Sequence, residues 1–148
     1  MRYLLDTNIY FRTLHEPAYL ARYRSALLKV APHTFLSSVV RLEMVQGARG
    51  DFARARVGKA VEPLERAGRV VAPTHADWTH AGVAQGRIWD DHPSLRTKSL
   101  QSDLLIVCTA RRIGAIVITE NVADFDTIRP YFPHHALTMQ GLARHLSS

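Results

Sequence analysis

Two rhythms of apolar positions alternate along the chain. Short aliphatic or β-branched runs at Tyr3-Leu4-Leu5, Thr34-Phe35-Leu36, Arg69 to Ala72 and Ala115 to Thr119 predict strands. The last has no polar alternation, so it should be buried on both faces. Stretches with helical periodicity separate them. Asp6-Thr7-Asn8 closes the first strand in cap residues, and a helix is expected over Ile9 to Leu14. Pro17 opens a helix that stops near Pro32, and Ser37 or Ser38 caps another over 39–49. Gly50-Asp51 breaks and restarts the chain into a basic helix over 52–68, kinked at Pro63. A helix over His75 to Trp89 and a loop from Asp90 to Lys98 follow. A further helix, capped by Ser99 or Ser102, then stops at Gly114. Beyond the Ala115 strand come a short helix or turn over 121–132, an edge strand at Leu137-Thr138 and a helix over 139–146. Strands alternating with helices define an α/β fold with a mostly parallel sheet.

Several acids break this pattern. Asp103 has Leu100 at i−3 and Ile106 and Val107 at i+3 and i+4, which puts a carboxylate on an apolar helix face. Glu43 has Val39 and Val40 at i−4 and i−3. A buried carboxylate must be paired, at an edge, or bound to a cation. Each acid has a plain alternative: Asp6 as an N-cap, Glu43 as a solvated helix acid, Asp103 as a first-turn acid favoured by the helix dipole. Tyr19, Tyr23 and Leu27 recur at helical spacing, and Trp78 and Trp89 return to nearly one face; packing is the expected role for all five.

Composition narrows the picture. At 148 residues and 47% hydrophobic, the chain fits one domain spanning 1–148 with a real core. No apolar run approaches the roughly 20 residues that cross a bilayer, and MRYLLDTN turns polar too early for a signal peptide. A single cysteine, Cys108, excludes an internal disulfide and fits a cytoplasmic setting. Nineteen Lys and Arg against thirteen Asp and Glu leave a net charge of +6. Only Lys29, Lys59 and Lys98 are lysines, so sixteen are arginines, the side chain that grips phosphate bidentately. A polyanionic partner such as nucleic acid follows from that balance. The eight histidines have no zinc-ligand spacing, and glycine-rich phosphate loops and Cys-x-x-Cys pairs are absent.

Topology then gathers the acids. In a parallel α/β sheet, strand ends and helix starts meet at the C-terminal edge, where open sheets bind ligands. Asp6, Glu43, Asp103, Asn121 and Asp124 all fall on that edge. Carboxylates crowded there repel one another unless a cation joins them. Oxygen ligands suit Mg²⁺ or Mn²⁺, which can activate water against a phosphodiester.

Asp6-Thr7-Asn8 after an opening strand, Glu43 after LSSVVRLE, Asp103 in SDLLIVCTA and Thr119-x-Asn121-x-x-Asp124-Phe125 together resemble a PIN-domain ribonuclease, specifically the VapC-type toxins of bacterial toxin–antitoxin pairs. The resemblance spans nearly the whole chain. It implies a three-layer α/β/α sandwich and a metal-dependent endoribonuclease, homodimeric and silenced by a cognate antitoxin. It also implies that Asp6, Glu43 and Asp103 are metal-binding acids, that Asn121 or Asp124 completes the set, and that Asn8 and Thr119 support it. The approach to Asp103 departs from the family pattern, because residues 90–102 lack glycine. The antitoxin is expected along the helices containing Tyr19–Leu27 and Asp51–Gly68. Two other readings compete. One is a catalytically silent RNA- or protein-binding module. The other is a small-molecule phosphohydrolase with Asp6 as nucleophile, disfavoured because position 8 is Asn where its signature needs a second Asp.

Overall fold

A computed structural model describes all 148 residues. Five parallel strands form the sheet: β1 (Arg2–Leu5), β2 (Thr34–Ser37), β3 (Val70–Val71), β4 (Ala115–Ile118) and β5 (Ala136–Leu137). Their order is β3-β2-β1-β4-β5. β1 is therefore central, and the chain winds outward from it in both directions. Right-handed crossovers from such a start place helices on both faces, which is why all four residues of β4 are buried. Leu4 and Val117 pair in register at the centre. Between strands run α1 (Thr7–His15), α2 (Pro17–Val30), α3 (Ser38–Gly47), α4 (Gly50–Arg66), α5 (His75–Asp91), α6 (Gln101–Ile113) and α7 (Val122–Ile128), with α8 (Met139–Ser147) last.

Local chemistry explains most boundaries. Asp6 caps α1 through Thr7 N, and Ser37 caps α3 through Val39 N. Thr74 and Asp77 form a reciprocal capping box on α5. Gly114 ends α6 in the left-handed region at φ 67°, where side chains are strained. One buried cluster of 34 apolar residues joins the layers. α1 and α3 approach so closely that a Cβ on Gly47 would stand 2.5 Å from Phe11 Cζ.

Several expectations need correction. α6 begins after Leu100, so neither Ser99 nor Ser102 is its N-cap residue. Ser99 Oγ does accept the Gln101 amide at 3.3 Å, and Gln85 Oε1 accepts the Leu100 amide at 2.7 Å. The α5 face that packs inward is Ala81, Ala84 and Ile88, leaving Trp78 half exposed and Trp89 only half buried. The last strand is Ala136–Leu137, one residue earlier than expected, because Thr138 is used to cap α8. Residues 93–97, expected as loop, form a 3₁₀ turn. α4 runs helically through Pro63 to Arg66.

Candidate active site

The strand order reverses at β1, and the crevice beyond the ends of β1 and β4 is where such a sheet accepts ligands. Asp6 N donates to Ile118 O at 2.8 Å, which clamps those two strand ends together. Asp6 is only 5% exposed. Its Oδ1 accepts Thr7 N at 2.8 Å, and its Oδ2 accepts Thr119 Oγ1 at 2.8 Å and Asn8 Nδ2 at 3.1 Å. Asn8 also reaches back with Oδ1 to the Glu120 amide at 3.1 Å. Thr119 is fully buried, and its hydroxyl also accepts the Asn121 amide at 3.0 Å. Thr119, just past β4, and Asn8, in the first turn of α1, thus orient Asp6 from two neighbouring elements.

Glu43 comes from the middle of α3. Its Oε1 accepts the Thr7 hydroxyl at 2.7 Å, a contact made possible by the glycine-close crossing of α1 and α3. Asp124, in the first turn of α7, accepts Asn121 Nδ2 at 2.7 Å and forms an ion pair with Lys98. Asp103 stands in the first turn of α6, half buried.

The acids feel one another. Burial pushes the Asp103 carboxyl up to about 7, reinforced by the negative charges of Asp6, Asp124 and Glu43 and only partly offset by Lys98. Asp6 is raised by burial against the pull of its hydrogen bonds, with Asp124 adding to the rise. Glu43 is raised by burial and by Asp6, with Thr7 opposing. Asp124 alone goes down: burial disfavours its charge, but the Lys98 ammonium and the Asn121 amide more than compensate. All five residues expected at the sheet edge are therefore neighbours. Even so, no three His, Cys, Asp or Glu side chains close tightly enough around one point to form a ready-made metal cage. An acid cluster short of countercharge, offering only hard oxygen donors, fits a divalent ion that retains several waters.

Two contributors lie outside what the sequence patterns single out. Thr7 is visible there only as a cap residue, and Lys98 only as one cation in a loop. Cys108 is buried in the core, away from this chemistry.

A parallel sheet wound outward from β1, with acids crowded at its switch point, defines a small α/β protein with an acidic pit. The PIN domain model matches residues 3–129, and the chain belongs to the PIN domain family. Ribonuclease VapC1 of Haemophilus influenzae strain R2866 is 26% identical over 129 residues, spanning 86% of this chain and 92% of that protein. The 2.2 Å structure of VapBC-1 from nontypeable Haemophilus influenzae is similar with a TM-score of 0.65 at 23% identity, over 95% of this chain and 99% of that one. DNA-bound VapBC from Salmonella typhimurium gives a TM-score of 0.63 at 23% identity, over 94% and 98% of the two chains. These two structural likenesses are ones of fold.

Proposed function

We propose that the protein is a metal-dependent endoribonuclease, the VapC-type toxin of a toxin–antitoxin pair, formed as a single domain over residues 1–148. The observation that carries this reading is the buried Asp6 carboxylate at the sheet's switch point, held by Thr7, Asn8 and Thr119 with Glu43 bonded to the same Thr7, in a PIN-family chain. Asp6, Glu43 and Asp103 would hold Mg²⁺ or Mn²⁺, with Asp124 or Asn121 completing the set. When bound, such an ion supplies an activated water and charge neutralisation at the scissile phosphate. The chain's own part is positional. Thr119 and Asn8 fix the Asp6 carboxylate, Thr7 fixes Glu43, and Asn121 fixes Asp124. Asp103, poised near 7, is the acid able to hold a proton on its carboxylate at neutral pH until a cation displaces it. Sixteen arginines draw the polyanion toward this acidic pit. Asp6→Asn or Asp103→Asn should abolish Mn²⁺-dependent cleavage of RNA while leaving the circular-dichroism spectrum unchanged. Full activity in either variant, or in EDTA, overturns the reading.

The partner proposal follows from surface chemistry. Phe11, Leu14, Ala48 and Val57 line a cleft of about 260 Å³ between α1, the end of α3 and α4, with Arg49 and Arg56 also lining it. Phe52 stands 80% exposed near the start of α4. An antitoxin segment that is apolar and acidic suits this cleft. Tyr19 and Tyr23 are buried, so α2 offers Leu20 and Leu28 to a partner instead. A homodimer acting in the cytoplasm completes the reading. No helix is long and apolar enough to cross a membrane, and the lone buried thiol suits a reducing compartment.

The silent-module reading draws on one observation, the Lys98 ammonium already paired with Asp124. It requires RNA affinity indifferent to EDTA and no cleavage with any divalent ion.

A further inference from the structure

A groove separate from the apolar cleft borders the acid pit at Glu120. A cavity of about 450 Å³ opens between α1, α2, the turn after β4 and the start of α8, lined by Arg12, Tyr19, Arg22, Tyr23, Glu120 and Gln140. Its wall is shared with the pit, since the Glu120 amide is the group bonded to Asn8 Oδ1. A second hollow of about 440 Å³ continues along the seam of α2 and α8. Arg22, Tyr23 and Gln140 belong to both hollows, and Arg144 lines the second.

Two arginines of this groove lie over tyrosine rings. The Arg12 guanidinium lies 4.1 Å from the Tyr19 ring centroid, and that of Arg22 lies 5.2 Å from the Tyr23 centroid. Both rings are buried and pack edge to face, so they hold the guanidinium groups from below. Arg12 is neutralised by Glu16 at 3.0 Å and Glu120 at 3.6 Å. Arg22 and Arg144 are exposed and pair with no carboxylate. In the floor, the Tyr19 hydroxyl is buried with no hydrogen-bond partner. Burial and the nearby Glu120 carboxylate raise its pKa, with the Arg12 charge opposing.

Unpaired guanidinium groups grip phosphate bidentately, and their planar faces can stack on unpaired bases. We propose that the α2–α8 seam is the track of single-stranded RNA flanking the cut, with Arg22 and Arg144 each binding a backbone phosphate. The proposal rests on the ribonuclease reading and adds the path by which substrate reaches the acids.

The test compares Arg22→Gln/Arg144→Gln with a charge-matched control on the outer side of α2, Arg24→Gln/Lys29→Gln, which lines a separate surface hollow. Fluorescence anisotropy in EDTA would measure binding of labelled single-stranded RNAs of about twelve and about four nucleotides. The groove variant should lose roughly tenfold in affinity for the longer RNA, and its log–log salt slope should fall by about 1.4, at about 0.7 per lost phosphate contact. The four-nucleotide RNA and kcat with Mn²⁺ should be unchanged, while KM for the longer RNA rises. Equal losses in control and groove variants, or equal losses on both RNA lengths, overturn the track. If the wild type cleaves and the groove variant binds normally, the track fails and the ribonuclease reading stands. If the binding pattern holds but no divalent ion supports cleavage, the ribonuclease reading fails and with it the claim that the bound RNA flanks a cut, while Arg22 and Arg144 stand as its phosphate contacts.

Discussion

Asp103 shows how a single side chain can link stability to metal. Its carboxyl rests near 7 in the folded chain and near the ordinary 3.8 when unfolded. Below both values the proton is held in either state, so no penalty arises. Between them the unfolded chain releases the proton first, and folded stability falls as pH rises from about 4 to about 7. At pH 8 the penalty is complete. Asp103→Asn in EDTA should therefore be more stable than the parent by about 1–3 kcal/mol at pH 8 and little changed at pH 4, since a tenfold change in proton affinity is worth roughly 1.4 kcal/mol. Thermal melts at the two pH values measure this. Added Mn²⁺ should raise the melting temperature of the parent at pH 8 and leave the Asn variant unmoved. Lys98→Met tests the neighbouring acid: removal of the competing ammonium should tighten Mn²⁺ binding a few-fold by titration calorimetry, and weaker binding would give Lys98 a supporting role. Asp103 and Glu43 were legible in the sequence, because a carboxylate on an apolar helix face contradicts its own surroundings, and Asp6 and Asp124 through the sheet edge the topology places them on. Thr7 and Lys98 were not, because which acid each meets depends on distances between elements 26 to 36 residues apart in the chain.

Among the elements, the crossing of α1 and α3 governs the Thr7–Glu43 bond. Gly47 permits that crossing, and its replacement must push Phe11 aside. Gly47→Val should cost about 1–3 kcal/mol by overpacking. It should also reduce kcat for RNA cleavage more than Gly114→Ala does. The latter strains a left-handed cap at φ 67°, far from the acids, at a cost of about 1 kcal/mol. Urea melts and single-turnover cleavage would separate the two. Strand and helix order was readable from periodicity alone, since buried runs such as Ala115 to Ile118 admit no polar residue. Cap positions were less so. α6 starts just after Leu100, whose amide is held by Gln85 from a different helix, and local sequence does not encode that partner. The orientation of α5 escapes its own periodicity for a related reason: small Ala81 and Ala84 let α5 pack closely against α6, and Trp78 is left facing outward.

For the whole molecule, two faces of α1 are given different work. The apolar cleft toward α4 is proposed for the antitoxin, and the arginine-lined groove toward α8 for RNA. Phe52→Asp should leave thermal stability within about 0.5 kcal/mol, as expected for an exposed side chain. It should nevertheless abolish inhibition by a co-expressed antitoxin in a cleavage assay. Retained inhibition would move the docking site elsewhere. Fold class was legible because βα alternation leaves few topologies open. The two grooves were not, because each is bounded by helices that are distant in the chain.

The central position of β1 also sets a timetable. Asp6 is synthesised well before Thr119, which orients it from 113 residues further along the chain. Domains fold as their segments emerge, and contacts of such long separation form late. A nascent polypeptide that ends before β4 thus carries acids without an assembled pit. The nuclease proposed above would therefore stay inert during synthesis until β4 pairs with β1 and Thr119 reaches Asp6.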